Sequence, residues 1–164
     1  MSFKGALFSS NDQTWRTPSW LFNELNEEFN FDLDAAAHSG NKLCSNYISP
    51  EEDALKVEWE GGSIFCNPPY GKDVGKFVKK AYEESRKNKT IVLLVFARTD
   101  TRWFHDFIMK ASEIRFIKAR IKFSLGGDQL PNPAPAPSCL VIFRGLENGP
   151  PAISSFLQPK HRSV

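Results

Sequence analysis

The sequence predicts a single α/β domain of three layers, built on a mostly parallel sheet with an antiparallel C-terminal strand. The clearest helix is predicted at residues 73–88, because its apolar side chains recur every three or four positions. A near-continuous apolar run at 90–97 then indicates a central strand that is covered on both faces. A later pair of strand-like segments completes the alternation of strands and helices that is typical of such domains.

The chain before residue 73 is predicted to supply a first helix and two strands. Residues 1–14 are polar and lack periodicity, so we expect a flexible N-terminal arm. Thr17 and Pro18 indicate a helix start, with Thr17 as the N-cap and Pro18 at the first helical position. Strands are predicted at 31–34 and 63–66, and the capped start of a short helix is predicted at 49–52.

The chain after residue 97 is predicted to complete the domain. A helix is predicted at 100–111, strands at 113–117, 120–123 and 138–143, and a loop rich in Gly and Pro at 126–137. Residues 145–164 contain prolines and show little pattern, so we expect a surface tail there. The folded domain is therefore predicted to span residues 15–144.

Composition excludes several classes of protein. The longest apolar run is far too short for a membrane span, and residues 1–5 lack the apolar core of a secretory signal, so no membrane contact is expected. The three cysteines are widely spaced and the three histidines share no ligand spacing, so neither a disulfide framework nor a metal site is predicted. This cysteine usage indicates a reducing, cytoplasmic location. A net charge of +2 is low for a dedicated nucleic-acid binder.

The tetrapeptide Asn67-Pro68-Pro69-Tyr70 is the most informative stretch of the sequence, and it directly follows the predicted strand at 63–66. Proline fixes φ and donates no backbone N–H, so the carbonyl near Asn67-Pro68 is left to accept a hydrogen bond. The side-chain oxygen of Asn67 is a second acceptor. Two acceptors beside the flat ring of Tyr70 suit a planar group that carries an NH₂. The other interpretation is a proline-stiffened turn.

This tetrapeptide resembles the catalytic motif of amino-methyltransferases that use S-adenosylmethionine (AdoMet). The resemblance implies a Rossmann-like methyltransferase fold. It also implies that Asn67 and a carbonyl at Pro68 hold the target amine while Tyr70 stacks on the target base. AdoMet is the implied cofactor, and no metal is required.

Further segments make the chain similar to phage-type DNA adenine methyltransferases of the Dam-like class. The resemblance covers roughly residues 15–144, and its order is Thr-Pro, a strand-end Asp turn, an acidic residue and the tetrapeptide. His38 departs from the family, which usually has glycine there. The resemblance implies that AdoMet is bound by Thr17, Pro18, Asp34, Ala35, Ser39 and Asp53. Read from the residues alone, Thr17 is an ordinary cap, residues 35–37 are a packed turn and Asp53 is a helix-cap acid.

A basic segment at 118–123 is the predicted contact with double-stranded DNA. Lys118, Arg120 and Lys122 alternate with apolar residues, so a strand would place the three cations on one face, where they could meet phosphates. The other interpretation is a solvated edge strand. Phe123 is either a second wall for a base flipped out of the duplex or a core residue.

Three functions therefore remain open. The first is methyl transfer from AdoMet to the N6 amine of adenine in DNA. The second is methylation of protein glutamine, although that family resembles a longer chain with an N-terminal helical domain and a Gly-rich first motif, which this sequence does not show. The third is a degenerate domain that binds DNA or a partner without cofactor, which the His38 departure would mark.

Overall fold

The computed structural model describes residues 16–125, 128–129 and 133–159. Along the chain, three helices lie among the first three strands, one 3₁₀ turn at Ile108–Lys110 follows the third helix, and the remaining elements are all strands. The elements are α1 Ser19–Phe29, β1 Leu33–Asp34, β2 Ser63–Cys66, α2 Val74–Ser85, β3 Thr90–Phe96, α3 Arg102–Asp106, β4 Glu113–Ile117, β5 Ser124–Leu125, β6 Asp128–Gln129, β7 Ser138–Arg144 and β8 Ala152–Phe156.

Six of these strands form the main sheet, in the order β1-β2-β3-β7-β4-β8. β7 is antiparallel to both of its neighbours, β3 and β4, and the other three pairings are parallel. β5 and β6 form a separate two-stranded ribbon. The predicted Rossmann-like α/β architecture, with a mostly parallel sheet and an antiparallel strand late in the chain, is confirmed.

The sheet separates two apolar cores, which gives the domain its three layers. In β3, Ile91, Leu93 and Val95 belong to the core under α2 and α3, whereas Val92 and Leu94 belong to the core under α1. Successive strand residues point to opposite faces, so a strand covered on both sides has to be apolar throughout. This explains why residues 90–97 show no alternation.

The helix predicted at 100–111 is shorter in the structure. α3 begins at Arg102, where the Thr101 hydroxyl caps it by accepting a hydrogen bond from the Phe104 amide at 3.3 Å. It ends after Asp106, because Phe107 leaves the helical region with φ −124° and ψ −49°. The rest of the predicted span is the 3₁₀ turn.

The strand predicted at 120–123 does not form. Ala119 adopts φ +66°, a left-handed conformation that breaks extended backbone just before this segment. The Gln158 side chain then donates hydrogen bonds to the carbonyls of Lys118, Ala119 and Arg120 at 3.0–3.3 Å. The backbone carbonyls of residues 118–120 are therefore satisfied by a side chain from a distant part of the chain.

The expected surface tail at 145–164 contains a strand. β8 pairs with β4 in parallel, and the register runs from Glu113 opposite Ala152 to Ile117 opposite Phe156. Phe156 is buried against the α1 core, whereas residues 152–155 are exposed. The prediction of a surface tail did not include this strand, because four exposed residues in β8 hide its apolar pattern. The arm predicted at 1–14 lies outside the described residues.

None of the helices in the described part of the chain has the length and apolar character that a membrane span requires.

Candidate active site

A cavity of about 340 Å³ lies where β1 and β2 end, and we refer to it as the first cavity. It brings together Thr17, Asp34, Ala35, Asp53, Asn67, Pro68 and Tyr70, all of which are site residues predicted from the sequence. Pro18 and Ser39 are not among its lining residues: Pro18 is buried and Ser39 is exposed. Ligands of parallel α/β sheets bind at the carboxyl ends of the strands, so the position of the first cavity is that of a ligand site.

Asp34 ends β1 and holds the turn that forms one wall of this cavity. Its side chain is 3% exposed, and its carboxylate accepts hydrogen bonds from the amides of Leu43 at 3.1 Å and Ala36 at 3.4 Å. Burial raises the pKa of Asp34 to about 6, against the partial opposition of those two amide hydrogen bonds. A buried carboxylate with a pKa near neutrality, set in a cavity, is typical of a functional group.

The turn after Asp34 accommodates His38, where glycine was expected. The His38 ring accepts a hydrogen bond from the Gly40 amide at 3.0 Å, and the His38 amide donates to Asn41 Oδ1 at 2.8 Å. A side chain at position 40 would lie 3.0 Å from the His38 ring. The His38 ring therefore lies over the turn, and Gly40 provides the space that a larger residue at position 40 would take from this ring.

Asp53 also lines the first cavity, in a turn that has a left-handed backbone conformation at this residue. It adopts φ +59°, and its carboxylate accepts a hydrogen bond from the Leu55 amide at 3.1 Å. The buried Trp59 supports the turn by donating its indole N–H to the Ala54 carbonyl at 2.8 Å. Ser49 and Glu52 exchange the expected capping hydrogen bonds, but residues 49–52 form turns and not the predicted helix.

Asn67 is held by two partners. Its amide Nδ2 donates to the Thr17 hydroxyl at 3.1 Å, and its Oδ1 accepts from the Tyr70 hydroxyl at 2.9 Å. Thr17 is therefore not the helix cap that was predicted. Pro18 occupies the N-cap position of α1, which makes no side-chain cap hydrogen bond, and the Thr17 side chain is committed to Asn67.

The ring of Tyr70 packs among aromatic neighbours. It stacks on Phe96 with the ring centroids 4.4 Å apart and meets Phe123 edge to face at 5.7 Å. Burial raises the pKa of the Tyr70 hydroxyl well above its usual range, so this group stays protonated as a donor to Asn67. Phe123 is 0% exposed and lies against Tyr70 from within the core.

Phe96 was not predicted to lie at the site, because it closes an apolar run that reads as core, but its ring stacks on Tyr70. The available signal was its place in β3, since Phe96 is the terminal residue of the strand and lies where strand ends meet a cavity. Beside it lies a second cavity of about 370 Å³. The second cavity is lined by Tyr70, Gly71, Val74, Phe96, Arg98, Asp100, Thr101 and Trp103.

The basic segment keeps its three cations outside although it is not a strand. Lys118, Arg120 and Lys122 are exposed, whereas Ile121 and Phe123 are buried. Arg120 also donates to the Ala134 carbonyl at 3.1 Å, so its guanidinium is partly engaged within the protein. Within the described residues, no group of three or more His, Cys, Asp or Glu side chains is placed to hold a metal ion.

Comparison with known proteins identifies the family. The family model for DNA N-6-adenine-methyltransferase (Dam) matches residues 5–162. The chain is 36% identical over 127 residues to the DNA N-6-adenine-methyltransferase of Haemophilus phage HP1, a match that covers 75% of this chain and 73% of the relative. It is also 36% identical over 118 residues to the enzyme of the same name from Escherichia phage T1, covering 70% of this chain and 49% of the relative. The resemblance drawn from the tetrapeptide is thereby confirmed, and the chain belongs to the DNA N-6-adenine-methyltransferase (Dam) family of enzymes.

Proposed function

We propose that this protein transfers a methyl group from AdoMet to the N6 amine of adenine in double-stranded DNA. The observation that carries the proposal is the clamped Asn67 side chain in the wall of the first cavity. Membership of the Dam family and the substrate named for both phage relatives support the choice of adenine in DNA over protein glutamine.

The residues of the first cavity fit AdoMet by their chemistry. The cofactor carries an α-amino group in its amino-acid part and an amine on its adenine. Both of these groups can donate hydrogen bonds to carboxylates. Asp34 and Asp53 supply two carboxylates, and apolar side chains such as Ile48 and Phe77 line the same cavity. We assign Asp34 and Ala35 to the amino-acid part and Asp53 to the adenine amine. When bound, AdoMet supplies an activated methyl group on a sulfonium, which is a good leaving group.

Asn67 and the carbonyl beside Pro68 would accept the two protons of the target amine. Accepting both protons would draw the nitrogen toward tetrahedral geometry and localise its lone pair for methylation, and the proton that the amine loses would pass to water. Acceptors fixed in advance at the reacting group are the kind of preorganised electrostatics that lowers a barrier. The Thr17 hydroxyl contributes because it fixes which end of the Asn67 amide faces the reaction.

Tyr70 must change partner for this reaction to proceed. Its hydroxyl donates to the same Asn67 oxygen that the target amine would use, and that oxygen lies in the cavity wall. The incoming amine would replace the hydroxyl, and the ring would then stack on the flipped base. Flipping is required because an exocyclic amine inside the duplex cannot reach an enclosed site.

The basic segment would hold the DNA backbone beside this site. Lys118 and Lys122 are exposed, and Phe123 connects the segment to Tyr70 through a ring contact. Phosphate contacts of this kind supply affinity without base information.

The test is transfer of a tritiated methyl group from AdoMet to unmethylated double-stranded DNA, followed by nucleoside analysis. We expect label in N6-methyladenine. Label in N4-methylcytosine or in added protein would contradict the proposal. AdoMet binding by calorimetry covers the alternative of a degenerate domain, which predicts neither binding nor transfer.

A further inference from the structure

A buried carboxylate lies near the end of α2, outside the lining of both cavities. Glu84 is 2% exposed, and its two oxygens are bound by three lysine ammonium groups at 3.0–3.2 Å, those of Lys80, Lys87 and Lys89. Burial by itself would raise the pKa of Glu84, but the hydrogen bonds from the three lysines hold that pKa below its usual range. Glu84 is therefore an ionised group within the fold that the proposed methyl transfer does not use.

Lys89 differs from the other two lysines because it also reaches the backbone of a distant segment. It lies in the connection between α2 and β3, its side chain is 12% exposed, and its ammonium donates a hydrogen bond to the Trp59 carbonyl. In the described part of the chain, the ammonium groups of Lys80 and Lys87 bind carboxylates only. Lys89 is thus the lysine of this cluster that joins Glu84 to another part of the fold.

Trp59 is hydrogen-bonded through both its backbone and its side chain. Its carbonyl accepts from Lys89, and its indole N–H donates to the Ala54 carbonyl at 2.8 Å. The indole is fully buried in the core under α2, so its position is fixed by packing. Ala54 directly follows Asp53, and both residues line the first cavity. A continuous series of hydrogen bonds therefore connects Glu84 to one wall of that cavity.

The turn at Asp53 depends on such support because of its backbone conformation. A residue other than glycine at φ +59° is disfavoured, and it keeps that conformation only where the surrounding structure holds it. The amides of Lys56 and Val57 donate to the Asp53 carbonyl at 2.8 and 3.2 Å, which closes the turn itself. The hydrogen bond from the Trp59 indole attaches the turn to the core. Loss of the Lys89 contact should therefore let the Asp53 carboxylate leave the position that the adenine amine requires.

We propose that Lys89, anchored by Glu84, is a positioning residue for cofactor binding, which acts through Trp59 to hold the Asp53 turn in the first cavity. This inference rests on the proposed function, because it uses the assignment of Asp53 to the adenine amine of AdoMet. It extends the cofactor site to residues that do not line the cavity. Lys89 and Glu84 act on AdoMet only through the turn and need not touch it.

The experiment compares Lys89→Met, Lys89→Arg and Lys80→Met by calorimetric titration with AdoMet and by methyl-transfer kinetics on unmethylated double-stranded DNA. We expect Lys89→Met to weaken AdoMet binding by about 3- to 30-fold and to raise KM for AdoMet, while kcat at saturating AdoMet stays within about twofold of wild type. Lys89→Arg keeps a charged donor and should restore most of the affinity. Lys80→Met is the matched control, because it removes an ion pair with the same Glu84 carboxylate but no contact with Trp59, and it should leave AdoMet affinity unchanged.

A double-mutant cycle tests the route through Asp53. In an Asp53→Ala background, Lys89→Met should change AdoMet affinity by less than about twofold, because the carboxylate that Lys89 positions is gone. Both Lys89→Met and Lys80→Met are expected to lower Tm, so the difference in AdoMet affinity is what identifies positioning. Lys89→Gln, which is one bond shorter and uncharged, is a second variant that should weaken AdoMet binding as Lys89→Met does.

The outcomes separate this inference from the function on which it rests. Wild-type protein that methylates DNA, with AdoMet affinity unchanged in Lys89→Met and Lys89→Gln, would overturn the positioning role and leave the proposed function standing. An equal loss of affinity in Lys80→Met, or a full effect of Lys89→Met in the Asp53→Ala background, would also contradict the inference. Wild-type protein that transfers no methyl group to DNA would overturn the proposed function itself.

Discussion

The two cavities that share Tyr70 are lined by different kinds of side chain. The first is a hydrogen-bonded cavity, in which Asp34, Asp53 and Asn67 each have defined partners in backbone or side chains. The second is lined by aromatic rings and by the side chain of Arg98; of the rings, Phe96 is buried under Tyr70 and Trp103 is half-buried. Directional contacts of this kind suit the cofactor proposed for the first cavity, because its hydrogen-bonding groups are the same in every turnover.

Groups in the first cavity are expected to change the rate constant or AdoMet affinity. Variants of the first cavity therefore test the comparison most directly, because each is predicted to alter one constant and spare the other.

Asn67→Ala should have the largest effect. Removing one preorganised acceptor from the reacting amine is expected to lower kcat by about 100- to 1,000-fold while AdoMet affinity stays near wild type. Single-turnover methyl transfer and calorimetry measure the two quantities. Asn23→Ala on the exposed face of α1 is the matched control and should have neither effect. Near-normal turnover by Asn67→Ala would contradict the mechanism.

Asp53→Ala should weaken AdoMet binding by about 10- to 150-fold, because the variant cannot form a hydrogen bond that involves a charged group. Asp53→Asn should weaken it less, since asparagine tolerates the φ of +59° and can still accept from Leu55. Calorimetric titration with AdoMet distinguishes the two variants, and Asp106→Asn on α3 is the control. Equal affinities for Asp53→Ala and wild type would remove Asp53 from the cofactor site.

Asp34 should make AdoMet binding depend on pH. With the pKa of Asp34 at about 6, affinity for the cationic amino group should fall by up to about tenfold for each pH unit below 6. The stability of the cofactor-free protein should change in the opposite direction. Folding raises this pKa from 3.8, so the contribution of Asp34 is greatest at low pH and is lost as the pH rises from 3.8 to about 6.

Calorimetry and thermal unfolding across a range of roughly pH 4–8 would measure these two trends for Asp34. The control is Asp34→Asn, in which both should flatten over this range. A pH profile of AdoMet affinity that is identical in Asp34→Asn and wild type would show that another group titrates.

Thr17→Val should lower kcat by up to about tenfold, the size expected for one neutral hydrogen bond that orients Asn67. Thr17→Ser keeps the hydroxyl and should restore the rate. AdoMet affinity is the second measurement, because a contact of Thr17 with the cofactor, as the family resemblance implies, would change that constant instead.

The basic segment should have the smallest effect per residue. Replacing Lys118, Arg120 and Lys122 by alanine should lower the slope of log affinity against log salt by about one for each phosphate that the protein no longer binds. Arg120 is expected to contribute least, since it already bonds to the Ala134 carbonyl. DNA binding across a salt series measures the slope, with Lys79, Arg86 and Lys87 on and after α2 as the control triple. An unchanged slope would identify the segment as merely solvated.

Most of the sheet could be predicted from the sequence, because its central strands are buried on both faces. The short apolar runs of β2, at Ile64–Cys66, and of β3 are most simply interpreted as buried strands. β8 could not be predicted in this way, since its first four residues are exposed and its partner β4 lies some distance along the chain. Edge strands with one buried residue carry almost no periodic signal.

The candidate site also has residues that the sequence could indicate and residues that only the fold brings together. Asn67 was singled out by the tetrapeptide itself, whereas Asp34 and Asp53 were predicted only through the family resemblance. The structure places all three in the lining of the first cavity. The second partner of Asn67 was not found, because Thr17 reads as a cap until the fold brings it within 3.1 Å of the amide. In the basic segment a strand was predicted where none forms. Ile121 and Phe123 are buried in alternation, as in a strand, but the left-handed Ala119 and the hydrogen bond from Gln158 keep the backbone out of the sheet.

The position of β7 in the sheet has a consequence for synthesis on the ribosome. β3 pairs with β2 on one side, but its other neighbour, β7, is made only after the whole of residues 97–137. Until then β3 presents an unpaired apolar edge, which is the kind of edge that recruits foreign strands. Slower translation of the 97–137 segment should therefore lengthen the dependence of the nascent chain on chaperones.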